Sequence, residues 1–300
     1  QMIMPDFRQW QQEGETAVSD LTVLNDEVAK IIDDYDFGGV ILFANNVKET
    51  EQTLKLTNDL QEAAISNKAG NGNLPLLITI DQEGGIVYRL GSGTALPGNM
   101  ALGATGDVNN AKIAGEIIGS ELSSLGINTN LAPVVDVNNN PSSPVIGLRS
   151  YGDDAEMVGK MASAEIEGLA EYNVIGCAKH FPGHGDVATD SHYGLPIVNK
   201  SKEELLNNEL KPYQVAINQG IEMIMSAHIL YPQLDNTTVY SEKTKQQEKL
   251  PSTLSHKIIT DLLKEHGIVP DYTAGLSLGE YSALYCAGVF KRQQVIDLAR

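Results

Sequence analysis

Short apolar runs that each stop on an acid or a base, with amphipathic helical stretches between them, constrain this chain more than any other feature. Residues 40–44 follow the Gly38-Gly39 turn. Residues 74–80 end at Asp81-Gln82-Glu83, 131–135 at Asp136, 174–178 at Lys179-His180 and 223–227 at His228. Between them lie helical faces: Leu21, Leu24, Val28, Ile31 and Ile32 with Asp20 as cap; a helix over about 50–66; Ala114, Ile117, Ile118, Leu122 and Leu125; and Val158, Met161, Ala162 and Leu169. Ser201 with Glu204 forms a capping box for a helix to Gln219 that restarts at Pro212, and Ser255 caps one carrying Ile258, Ile259, Leu262 and Leu263. Such alternation predicts parallel strands. Acids and bases at successive strand ends then share one rim of an α/β barrel, with an open doubly wound sheet as the alternative.

The densest polar stretch is KHFPGHGDVATDSHYGLP, from Lys179 to Pro196, which places three histidines, two acids and a lysine in eighteen residues directly after an apolar run. Its glycines and prolines make it a shaped loop, and loops held by a rigid scaffold concentrate catalytic side chains. A net charge of -18 disfavours nucleic acid and anionic membrane surfaces as partners, because both would repel the whole molecule. No apolar run is long enough to span a membrane, and the start at Gln1 reads as cut, so a signal or anchor upstream is an open matter. Cys177 and Cys286 are far apart in apolar runs and read as buried thiols.

DQEGG with Arg89 eight residues after Asp81, LAPVVDVNNNP, VIGLRSYGDD, KHFPGHGD, DSHYGLP and IMSAHI occur in that order. Together they resemble the bacterial β-N-acetylglucosaminidases of glycoside hydrolase family 3, over residues 1–263. MPDFRQW is most similar to the Gram-positive branch. The resemblance implies a TIM-type (β/α)8 barrel and a retaining hydrolase that removes N-acetylglucosamine from cell-wall fragments or related glycosides. It implies no cofactor and no metal, a small carbohydrate as partner, and a location outside the cell or in the envelope, with the cytoplasm as alternative. Carried over by position, it makes His192 the acid/base and Asp190 its partner, with Asp81, Arg89, Arg149, Lys179 and His180 holding the sugar. The residue types suit that work: an imidazole changes charge near neutral pH, and charged or bidentate groups bind hydroxyls directionally.

Each assignment has a plainer competitor. Asp81 and Glu83 also read as an acid pair at the start of a helix, Asp136 as a turn-forming carboxylate ahead of Asn138-Asn139-Asn140, and His228 as a structural histidine. His180, His184, Asp186, Asp190 and His192 are zinc-ligand types, but their spacing matches no compact zinc pattern.

From Gly267 the family pattern gives way to GIVPDYTAGLSLGEYSALYCAGVFKRQQVIDLAR. This resembles a piece of malonyl-CoA:acyl carrier protein transacylase, with Ser277 in the G-x-S-x-G elbow as an alternative acyl nucleophile. The expected organisation is therefore an incomplete, C-terminally truncated barrel over 1–263 joined to a strand-turn-helix piece of an unrelated acyltransferase fold over 264–300. Such a chain would lack the strand that carries the family's nucleophilic Asp, and its open barrel edge would invite association. Acyl transfer through Ser277 and non-catalytic sugar binding stand beside slow hydrolysis.

Overall fold

The computed structural model describes residues 3–66, 74–188, 195–241 and 244–265. In chain order the elements are β1 (Gln9–Trp10), β2 (Ser19–Asp20), α1 (Asp26–Asp34), β3 (Gly39–Leu42), α2 (Thr50–Ile65), β4 (Leu77–Ile80), α3 (Asn99–Ala104), α4 (Val108–Ser124) and β5 (Thr129–Asn130). There follow the single turn Gly147–Arg149, α5 (Ala155–Ala170), β6 (Ile175–Phe181), α6 (Lys202–Asn207), α7 (Lys211–Asn218), β7 (Met223–Ser226), β8 (Thr238–Ser241) and β9 (Gln246–Lys249). The wound segment Lys257–Leu262 and α8 (Leu263–Glu265) close the series.

Five of the strands form one parallel sheet in the order β3-β4-β5-β6-β7. Sequential neighbours are what a barrel requires, whereas a doubly wound sheet reverses its order at a switch point. Residues 3–6 lie beside β3, where Gly38 N donates to the Ile3 carbonyl at 3.0 Å and Ile41 N to that of Pro5 at 3.2 Å. Successive side chains of a strand point to opposite faces. Accordingly Val40 and Leu42 of β3 pack with Ile78 and Ile80 of β4 against Val28, Ile32, Leu56, Leu60, Ile118 and Leu122 of the helices. Ile41 points the other way and joins Leu131 and Cys177. Residues of β3, β6 and the stretch after β5 meet in one cluster because the sheet curls around its inner face.

Three expected elements differ in detail. The first helix begins at Asp26 under an Asn25 cap, which accepts from Val28 N at 2.8 Å, and Asp20 does not cap it. Asp20 sits in β2 and accepts instead from Asn45 at 2.7 Å and Gln9 at 3.0 Å, bonds that with Lys48 hold its carboxyl down at about 2. The strand expected over 131–135 is only Thr129–Asn130, since Pro133 has no N–H to give a ladder. The Pro133 carbonyl still accepts from Lys179 N at 3.3 Å, and Val134 bridges Lys179. The run expected over 74–80 is regular strand only from Leu77. By contrast the Ser201–Glu204 capping box forms, the helix breaks and restarts with Pro212 in its first turn, and Ser255 Oγ accepts from Ile258 N at 3.3 Å.

Helices α4 and α5 pack with almost no side chain between them. A Cβ on Gly115 would run into the Glu165 carbonyl, and one on Gly168 into that of Lys112. Gly115→Ala is therefore expected to cost about 1–3 kcal/mol, the usual penalty of overpacking. Ile113→Ala, at an exposed position of the same helix, should cost far less. Urea unfolding of the two variants checks this, and equal midpoints would contradict the close approach.

Candidate active site

The polar ends of β4 and β6 meet at one rim. Lys179, on β6, extends Nζ to Asp81 Oδ1 and to Glu83 Oε1, both at 2.6 Å. Arg149, in the turn Gly147–Arg149, lays its guanidinium along the same Glu83, with Nε to Oε2 at 2.8 Å and Nη2 to Oε1 at 2.7 Å. This fork-to-carboxylate geometry is the strong, directional form of the ion pair. The group is layered. Lys179 and Glu83 expose 2% of their side chains each, while Asp81 exposes 19%, His180 16% and Arg149 14%.

Burial alone would push the Glu83 carboxyl up, but Lys179 and the Arg149 fork outweigh it and hold it at about 2. Burial likewise works against the charge of Lys179, yet Glu83 and Asp81 keep its ammonium above the ordinary lysine value. With His180 neutral, three carboxylates (Asp81, Glu83 and Asp136) face two cations. A cluster so nearly neutral suits a polar, uncharged ligand.

Asp136 does something other than turn formation. Its buried carboxylate accepts from His184 N at 2.6 Å, from His180 N at 3.2 Å and from His180 Nδ1 at 2.7 Å, so it ties down the backbone that follows β6. A carboxylate facing Nδ1 makes that nitrogen the protonated one. Burial lowers the His180 pKa and outweighs the pull of Asp136 the other way, so the ring is neutral and its Nε2 is a hydrogen-bond acceptor, 3.5 Å from Arg149 Nη2.

Of the residues expected to hold a sugar, Asp81, Arg149, Lys179 and His180 thus share one cluster. Arg89 makes no ion pair with them: its backbone N donates to Gln82 Oε1 at 2.7 Å, and its buried Nε has no hydrogen bond among the described residues. Asp190, His192 and Ser277 lie outside the described residues. His228 bonds Thr253 Oγ1 at 3.1 Å. Among the described residues no group of three or more metal-ligand side chains is placed to hold an ion, and no helix is long and apolar enough to cross a membrane. Sequence reasoning underrated two residues. Glu83 stands two positions after Asp81, just past the end of β4, and both carboxylates reach Lys179 Nζ. Asp136, like Lys179, stands at the end of an apolar run.

The fold and this rim cluster define a barrel-type α/β chain with a buried, ion-paired polar site at one rim of its sheet. The family model described as Glycosyl hydrolase family 3 N terminal domain matches residues 1–269, beyond the limit of 263 expected from the motifs, and the chain belongs to that family. It is 43% identical over 275 residues to Beta-hexosaminidase A of Pseudoalteromonas piscicida, which covers 88% of this chain and 45% of that protein. It is 36% identical over 223 residues to the Beta-hexosaminidase of Haemophilus influenzae, covering 72% and 61%. Among solved structures it superimposes on a family 3 β-N-acetylglucosaminidase from Paenibacillus sp. str. FPU-7 with a TM-score of 0.79 and 39% identity, covering 99% of this chain and 52% of that one. It also matches NagZ from Neisseria gonorrhoeae in complex with N-trifluoroacetyl-D-glucosamine, with a TM-score of 0.77 and 28% identity, covering 99% and 78%. The chain spans 45% and 61% of the two curated relatives named here.

Because the folded pKa of Glu83 lies below the ordinary 4.5, its contribution to stability is complete above that value and is lost as pH falls from about 4.5 toward 2. Glu83→Gln is expected to cost about 3 kcal/mol or more at pH 7, since it leaves buried cations short of a counter-charge. It should also flatten the loss of stability across that acid window. Urea unfolding from pH 7 down to 3 measures both effects, and an unchanged pH slope would contradict the bridging role.

Proposed function

We propose that this chain binds a terminal β-linked N-acetylglucosamine of cell-wall fragments or related glycosides at the rim cluster and hydrolyses its glycosidic bond with retention. The observation that carries the reading is the layered group of Asp81, Arg149 and His180 over Lys179 and Glu83. Asp81 supplies a carboxylate and Arg149 a guanidinium to sugar hydroxyls, and the neutral His180 offers an acceptor at Nε2. Relatives that carry the hexosaminidase name support the substrate class.

In this reading His192 protonates the leaving oxygen and then takes a proton from water, while Asp190 orients its ring and supports the imidazolium. Both assignments rest on the DSH motif. A retaining reaction also needs a nucleophile on the opposite side of the anomeric carbon. The family match runs to residue 269, and in this reading the sequence beyond it does not supply that Asp, so turnover by this chain is slow and sugar binding outlasts it. Ser277, in the motif Gly275-Leu276-Ser277-Leu278-Gly279, supports acyl transfer as a second reading on sequence alone.

Three measurements separate these readings. Calorimetric titration with N-acetylglucosamine is expected to show binding that weakens at least tenfold in Lys179→Met, with glucose binding far more weakly. A fluorogenic N-acetylglucosaminide should turn over slowly and lose that activity in His192→Ala. Labelling of Ser277 by a fluorophosphonate, with no sugar binding, would overturn the proposal in favour of the acyltransferase.

A further inference from the structure

Arg149 ends the single turn Gly147–Arg149, between Gly147 at φ 35° and Gly152 at φ 154°, with no strand ladder to hold its aim. What holds it is a row of neighbours. The Arg149 carbonyl accepts from Asn99 Nδ2 at 2.9 Å. Ser150 Oγ, fully buried, donates to the Asp136 carbonyl at 2.6 Å. Tyr151 donates its buried hydroxyl to the Glu165 carboxyl on α5. The tyrosine ring itself lies in the apolar cluster with Val158, Met161 and Ala162. A phenylalanine would fill that place without asking for a partner. The hydroxyl is therefore a directional device in an apolar setting, and it registers the turn against helix α5.

We infer that Tyr151 and Glu165 are a positioning pair that aims Arg149 at Glu83 and at the sugar. The ligand named here rests on the function proposed above, whereas the aim of Arg149 does not. Glu165 touches no member of the ion-pair cluster through a hydrogen bond, yet it senses them. Burial pushes its carboxyl up to about 7, with the Tyr151 hydroxyl opposing, Glu83 adding to the rise and Lys179 reducing it. Those three are the titratable groups whose charge or hydrogen bond acts on it, Tyr151 alone by direct contact. Ionised Glu165 holds the phenol by a charge-assisted bond and neutral Glu165 by a weaker one, so the aim of Arg149 is coupled to the protonation of a residue on the far side of Tyr151.

The chain has only five arginines, so the Nε–H signal of Arg149 is accessible by NMR and assignable by its loss in Arg149→Lys. In Tyr151→Phe the exchange of that Nε–H is expected to speed at least tenfold, and N-acetylglucosamine affinity to fall five- to tenfold. Glu165→Gln, which keeps an acceptor for the phenol, should stay within twofold of wild type on both. Tyr213→Phe is the control for loss of a buried hydroxyl, because Tyr213 Oη has no hydrogen bond among the described residues, and it should leave Arg149 unchanged. In the wild type the Arg149 signal should shift with an inflection near pH 7 that Glu165→Gln abolishes, a readout that stands even where Tyr151→Phe does not fold. An unchanged Arg149 signal in folded Tyr151→Phe, or an inflection that survives in Glu165→Gln and so belongs to His180, overturns the inference. A wild type that binds no sugar but shows these Arg149 responses would sink the proposed function and leave the positioning pair standing.

Discussion

A single buried carboxylate, Glu83, holds the site together. It accepts from Lys179 on β6 and from the Arg149 guanidinium in the turn Gly147–Arg149, and so joins the end of β4 to two other parts of the chain. Burying one carboxylate and one ammonium is costly unless each meets a partner with good geometry. That cost turns into specificity. Any register of β4, β5 and β6 that moved Lys179 away from Glu83 would strand a charge in the interior, so the polar cluster and the sheet alignment support each other.

The curled parallel sheet explains why these groups converge. Strands that run the same way deliver all their carboxyl ends to one rim, and the helices on the outer face leave that rim to loops. Asp136 then does for the backbone what Glu83 does for side chains. By accepting from the N–H groups of His180 and His184 and from the imidazole, it sets the course of the chain leaving β6. Past β5 the chain stays alongside β6, with Cys177 N donating to the Ala132 carbonyl, Lys179 N to that of Pro133 and Val135 N to that of Lys179, which carries Asp136 to the His180 backbone.

Family membership gives this arrangement a chemical context. In the layered site, buried Glu83 and Lys179 form a fixed base, and the more exposed Asp81, Arg149 and His180 are the members placed to meet a ligand. For the function proposed above, preorganisation of that kind means that groups binding hydroxyls need not reorganise when a sugar arrives.

The amino-acid sequence by itself determined the fold class and the identity of most of the rim. Apolar runs of strand length, capped helices and acids or bases at the run ends are local patterns, set by side-chain period and by capping chemistry within a few residues. The Ser201–Glu204 box and the restart at Pro212 were legible for that reason, as were Asp81, Lys179 and His180 at their strand ends. Asn25 outranked Asp20 as a cap because Asp20 found partners in Asn45 and Gln9, which lie 25 and 11 residues away. Only the tertiary structure decided that Glu83 bridges Lys179 and Arg149, that Asp136 anchors a loop 44 to 48 residues further on, and that Tyr151 reaches Glu165. A carboxylate's role depends on which cations and donors share its low-dielectric surroundings, and those are brought together by chain packing at a range that local pattern does not encode.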